Sequence, residues 1–226
     1  MKMRIDIVSA VPEIFKGPLD SSILKRAQTK KKAEIFVHNL RDYAFNKHRQ
    51  IDDKPFGGGA GMVLKPEPFF ECIEKLQFDR NYDHIIFTSP RGKILDQNTA
   101  NRLSLARNMM IVAGHYKDID DRVREKFATE EISVGNFILT GGELPALLIL
   151  DAVIRLIPGV LNDSESALND SFQDGERIAA PSYTRPAEYR GMKVPDVLLS
   201  GNDKEIKNWK EEQSKILTEK WKNFNN

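Results

Sequence analysis

Residues 56–62 read Phe-Gly-Gly-Gly-Ala-Gly-Met and follow Asp52, Asp53 and Lys54. Glycine carries no Cβ, so such a run leaves backbone N–H groups bare and lets a ligand or another backbone come close. No Gly-Lys-Ser/Thr follows, which excludes a P-loop, and the spacing is not that of a dinucleotide fingerprint. A hairpin loop and a binding loop fit equally. Three further stretches stand at the carboxyl ends of candidate strands, where open α/β sheets bind ligands. Ser89–Gly92 (SPRG) follows HIIFTS, and Gly114–Arg122 (GHYKDIDDR) follows MMIVAG. Tyr116 could stack on a flat ring, while Asp120 and Asp121 read as the charged start of a helix and not as metal ligands. Val134–Glu143 (VGNFILTGGE) pairs Thr140 with Glu143 as a capping box. Its Gly141–Gly142 would expose N–H groups suited to a carboxylate or phosphate.

The remaining chemistry-bearing residues narrow the choice. Arg155 lies four residues after Asp151, which by itself reads as a helical ion pair. Asp170, in Asn169–Gly175 (NDSFQDG), is one of several aspartates in a polar stretch. No His/Cys cluster suggests a metal, and no Ser–His–Asp set or nucleophile elbow suggests acyl transfer. Cys72 sits among apolar residues and reads as core. Glycine-bearing stretches at successive strand ends point to one small-molecule site built from backbone.

The elements that must position these residues alternate. Apolar runs at Arg4–Val11, Ala33–Leu40, His84–Ser89, Met109–Gly114 and Glu131–Gly135 read as buried parallel strands. Helical patterns fall at Pro66–Leu76, Gln97–Arg107, Ile119–Phe127 and Glu143–Ile157. This order predicts an α/β fold with a parallel sheet covered on both faces. From Leu161 the chain turns rich in Ser, Asp and Asn, and it reads as a mobile linker. A helix follows from about Asp203 to Phe224, with Ile206, Trp209, Gln213, Ile216, Leu217 and Trp221 as one apolar stripe. The predicted organisation is an α/β domain at 1–160, a flexible linker at 161–177 and a small helical domain at 178–226.

Composition sets the outer bounds. The 226 residues hold 34 Lys+Arg against 33 Asp+Glu, so the net charge of +1 tells little, but its distribution tells more. Residues 20–50 carry eight basic side chains against three acidic ones, and residues 177–226 carry ten against seven. Two basic regions on a neutral chain can make a stripe for a polyanion. One cysteine excludes a disulfide framework. The longest uncharged run, Ile132–Gly142, stops at Glu143, short of the ~18 residues of a membrane span. A soluble, cytoplasmic protein without membrane contact is expected.

Taken together, FGGGAGM, SPRG, GHYKDIDDR, EISVGNFILTGGELPALLILDAVIRLIPGV, NDSF, PSYTRP and LLSGNDKEIKNW resemble the bacterial tRNA (guanine-N1)-methyltransferases of the SPOUT superfamily. The resemblance runs from the first strand through the last helix. It implies a trefoil-knotted parallel sheet domain, a feature hydrophobic periodicity cannot reveal. It implies S-adenosylmethionine bound by Ser89, Pro90, Gly114, Tyr116, Val134, Gly135, Asn136, Phe137, Ile138, Leu139, Gly141 and Gly142. The implied reaction is methylation of N1 of the guanine at tRNA position 37. Asp170 would be the general base, Arg155 would stabilise charge on O6, and Gly58, Gly59, Ser171 and Arg185 would meet the RNA. A homodimer with sites shared between subunits is implied, as is Mg²⁺ dependence without a ligand set the sequence names. Some positions depart from the family pattern. Lys117–Asp118 stand where Glu-Gly is common after the tyrosine, Phe137 stands where tyrosine is common, and Asp203 where histidine often stands. The other readings are a SPOUT enzyme with another RNA target and a non-catalytic RNA-binding relative.

Overall fold

The computed structural model describes residues 2–161, 170–173 and 175–225. The chain divides into two compact units, Met1–Asn162 and Asp163–Asn226. Much of the expected linker, including 162–169, lies outside the described residues.

In the first unit the chain order is β1 (Met3–Ser9), α1 (Glu13–Leu19), α2 (Ser22–Thr29), β2 (Ala33–Asn39), β3 (Asp52–Asp53), β4 (Val63–Leu64) and α3 (Pro66–Asp79). Then come β5 (His84–Ile94), α4 (Gln97–Leu103), β6 (Asn108–Ala113), β7 (Asp118–Ile119), α5 (Asp121–Phe127), β8 (Glu130–Ser133) and α6 (Glu143–Ile154). Five strands form one sheet in the order β2-β1-β6-β5-β8, and every pairing is parallel. The expected parallel α/β architecture is present.

Strand alternation sorts the apolar side chains to two faces. Ile5, Ile7, Met109, Ile111 and Ile86 go to one face, with Phe15 of α1, Leu24 of α2, Leu103 of α4 and Ile149, Val153 and Ile154 of α6. Val8, Met110, Val112, Ile85 and Phe87 go to the other, with Phe69, Cys72 and Ile73 of α3 and Val123 and Phe127 of α5. Cys72 is thus core, and burial pushes its thiol up to about 12. Helices α1 and α2 have no counterpart in the sequence reading. They are seven and eight residues long, and Gly17 and Pro18 interrupt the pattern of the first.

In the second unit a short hairpin, β9 (Glu188–Tyr189) and β10 (Met192–Lys193), precedes α7 (Asp196–Leu199) and α8 (Asp203–Asn225). The described residues from 170 to 183 run antiparallel along α8. Phe172 meets Trp221 edge-on at 5.3 Å, the Ile178 N–H donates to Thr218 Oγ1 at 3.0 Å, and Tyr183 lies 6.3 Å from Trp209. The part of the expected linker that can be described is therefore packed on the helix. The apolar stripe explains this packing, except that Ile216 falls off it and is 39% exposed.

Candidate functional site

Three neighbouring strands, β6, β5 and β8, end side by side and open one pocket. Its walls include Ser89 and Pro90, Gly114 to Lys117, and Val134, Gly135 and Phe137 to Gly142. All but one of the residues expected to hold a cofactor line it; the exception is Asn136.

The β5 contribution is not the simple strand-to-helix turn that its sequence suggests. Ile132 of β8 pairs with both Thr88 and Lys93, so Ser89–Gly92 bulges out of a strand that then resumes. Bulges of this kind re-aim side chains beside functional sites. Gly92 is required here because a Cβ would stand 2.5 Å from the backbone of Glu131 and Ile132. Ser89 is buried, and its Oγ accepts from the Arg91 N–H at 3.3 Å.

The segment after β8 returns across the end of β6. The Gly142 N–H donates to the Gly114 carbonyl at 2.7 Å, and His115 bridges Gly141. A Cβ on Gly142 would lie 2.0 Å from Thr88 Oγ1 and 2.9 Å from the Gly114 nitrogen. Close backbone approach, and not an open anion site, explains this glycine. The capping box is also corrected: Gly142 is the N-cap of α6, without a side-chain cap. The Glu143 side chain turns inward instead. It is 1% exposed, accepting from Ser9 Oγ at 2.9 Å and lying 3.3 Å from His115 Nδ1. This carboxylate ties the end of β1 to two pocket loops. The sequence reading missed Ser9, Thr88 and His115; the only local signal was their place at strand ends.

Tyr116 holds a left-handed backbone, φ +61°. Its ring stands edge-on to His115, and its hydroxyl accepts from Arg41 Nη2 at 3.2 Å. The aspartates of this stretch are structural, as expected. Asp120 caps α5 by accepting from the Arg122 N–H, and Asp118 pairs with the buried Arg124. Among the described residues no group of three or more His, Cys, Asp and Glu side chains could hold a metal ion, and no helix is long and apolar enough to cross a membrane.

Gly58 and Gly59 lie in the exposed loop between β3 and β4, outside the pocket lining. Arg155 ends α6 half-buried. It lies 13 residues beyond the Gly142 cap, roughly 20 Å along the helix at 1.5 Å per residue, and does not line the pocket. Asp170, Ser171 and Arg185 belong to the second unit, where Ser171 Oγ accepts from the Ala179 N–H at 2.9 Å.

Residues 3–223 match the family described as tRNA (Guanine-1)-methyltransferase TrmD. The chain belongs to this family. A tRNA (guanine-N(1)-)-methyltransferase of Chlorobaculum tepidum is 57% identical over 216 residues, covering 96% of this chain and 94% of the relative. Those of Bacteroides thetaiotaomicron and Christiangramia forsetii are 55% and 52% identical over 218 residues, with 96% of each chain covered. The TrmD family is one of methyltransferases, so the pocket at the ends of β5, β6 and β8 has a chemistry to be tested against.

Proposed function

We propose that this protein methylates N1 of the guanine at position 37 of tRNA, with S-adenosylmethionine as donor. The observation that carries the reading is the convergence of three strand-end segments on one pocket in a chain of the TrmD family. The fit is chemical. Backbone groups of Gly114–Tyr116, Val134, Gly135 and Phe137–Leu139 offer donors and acceptors to an adenine and ribose, while Ile132, Phe137, Leu139 and Pro145 offer apolar walls. S-adenosylmethionine supplies an electrophilic methyl group.

Guanine N1 carries a proton and is a weak nucleophile. In the proposed step the Asp170 carboxylate takes that proton as N1 gains the methyl, which leaves S-adenosylhomocysteine. Arg155 donates its paired N–H groups to O6, where negative charge develops. Ser171 and Arg185 contact the RNA, and the target base is flipped out of its stack. The knotted threading, the division into a donor-binding domain and a tRNA-binding domain, and a cytoplasmic place of work belong to the same proposal.

A homodimer with shared sites is part of it too. The ~15 Å of helix from Pro145, the last pocket residue on α6, to Arg155 supports this, because an arginine from a second copy can stand where the chain's own does not. Leu144 and Leu148, one turn apart on α6, are 51% and 52% exposed, as an unpartnered apolar stripe would be.

The test is transfer of labelled methyl to unmodified tRNA bearing guanine or adenine at position 37, with and without Mg²⁺. Transfer confined to the guanine tRNA, and strongly reduced by Asp170→Asn with donor binding retained, is expected. Transfer indifferent to position 37 would mean another RNA target, and tight tRNA binding without transfer would mean a non-catalytic relative.

A further inference from the structure

The loop between β3 and β4 projects an exposed aromatic ring and folds over a lysine at the edge of the pocket. Its tip is a turn closed by the Gly58 N–H donating to the Pro55 carbonyl at 3.3 Å. Phe56, within that turn, is fully exposed at 101%. A large aromatic ring on a loop tip gains nothing from water, and packing within the chain does not account for it. Further on, the loop folds over Lys117. A Cβ on Gly59 would lie 3.4 Å from Lys117 Nζ, and one on Gly61 would lie 3.3 Å from Lys117 Cβ. Lys117 is fixed through its backbone, its N–H donating to the Met62 carbonyl at 3.0 Å, and it lines the pocket. Its ammonium makes no hydrogen bond or ion pair with any described residue.

We infer that Phe56 and Lys117 grip the RNA strand beside the target nucleotide, Phe56 stacking on a base and Lys117 meeting a phosphodiester. This rests on the proposed function and names residues that hold its substrate. Single-stranded RNA is bound by this pairing of chemistries: every base has a flat face for an aromatic ring, and every linkage has a charge for a lysine. The left-handed backbone at Gly57, Gly58, Gly59 and Gly61 lets the loop lie on the lysine while its tip projects the ring. The other oxyanion within reach of such a lysine is the carboxylate of the methyl donor, so the test separates the two.

Full-length protein, Phe56→Ala and Lys117→Met are compared in equilibrium binding of unmodified tRNA across a potassium chloride series, and separately in binding of S-adenosylmethionine. Both side chains are exposed, and thermal unfolding checks that the variants fold. Phe56→Ala is expected to weaken tRNA binding about tenfold with the salt slope unchanged. Lys117→Met is expected to reduce the magnitude of the log–log salt slope by about 0.7. Phe56→Ala should leave donor affinity unchanged, and any loss of donor affinity in Lys117→Met should be smaller than its loss of tRNA affinity. The inference is overturned if either tRNA effect is missing, or if Lys117→Met weakens the donor and leaves the salt slope intact. Failure of the proposed function shows differently, as wild-type protein that binds tRNA and transfers no methyl to guanine 37.

Discussion

Asp6 shows how one residue sets a stability limit. It sits in the middle of β1 with its side chain fully buried, which alone would raise its carboxyl. His38 Nε2 at 2.7 Å, Arg4 Nε and Nη2 at 2.8 and 2.9 Å, and the Tyr82 hydroxyl at 2.9 Å outweigh burial and hold it at about 2. The folded value lies below the ordinary ~3.9 of the unfolded chain. The network's stabilisation is therefore complete above about pH 4 and is lost as pH falls through about 2. It amounts to roughly 2 kcal/mol at neutral pH. Thermal unfolding at several pH values from 7 to 3 should show Asp6→Asn less stable at neutral pH and less sensitive to acid than wild type. Parallel losses in the two proteins would place the acid sensitivity elsewhere. Nothing in the sequence distinguishes Asp6 from other charged residues: Arg4 is on the same strand, but His38, Arg80 and Tyr82 come from β2 and the α3–β5 connection and meet it only on folding.

At the scale of elements, the strands were legible because buried parallel strands are short apolar runs bounded by glycine, proline or charge. The glycines of Ser89–Gly92 and Gly141–Gly142 were legible as special, but their reasons were not. A bulge in β5 and a backbone crossing at Gly142 are long-range contacts, and local pattern does not encode them. Thr140 and Glu143 fit the spacing of a cap, yet burial beside Ser9 and His115 decided where that carboxylate went. Helix α6 is apolar on nearly every side, with Ile149, Val153 and Ile154 on the core and Leu144 and Leu148 facing outward. If the outward pair meets a second copy, Leu148→Asp should convert a dimer to a monomer in light scattering. It should also abolish methyl transfer, because Arg155 would have no partner pocket. A variant that stays dimeric, or a wild type that is monomeric, would remove this face from the account.

At the scale of the whole molecule, the proposed donor pocket belongs to one unit and the proposed base, Asp170, to the other. Residues 1–162 alone are expected to bind S-adenosylmethionine and to transfer no methyl group, and transfer by that fragment would free Asp170 of its role. The resemblance of the full motif set carried more of the function than any single spacing did. By themselves Asp170 and Arg155 look like an ordinary loop aspartate and a helical ion pair, and only the resemblance proposes roles for them. The claim on which the rest depends is that the methyl donor sits at the ends of β5, β6 and β8. Ultraviolet crosslinking of labelled S-adenosylmethionine to the full-length protein, followed by peptide mapping, tests it directly. Label is expected on peptides holding Gly114–Lys117 or Ile132–Gly142, and label confined to other peptides would contradict it.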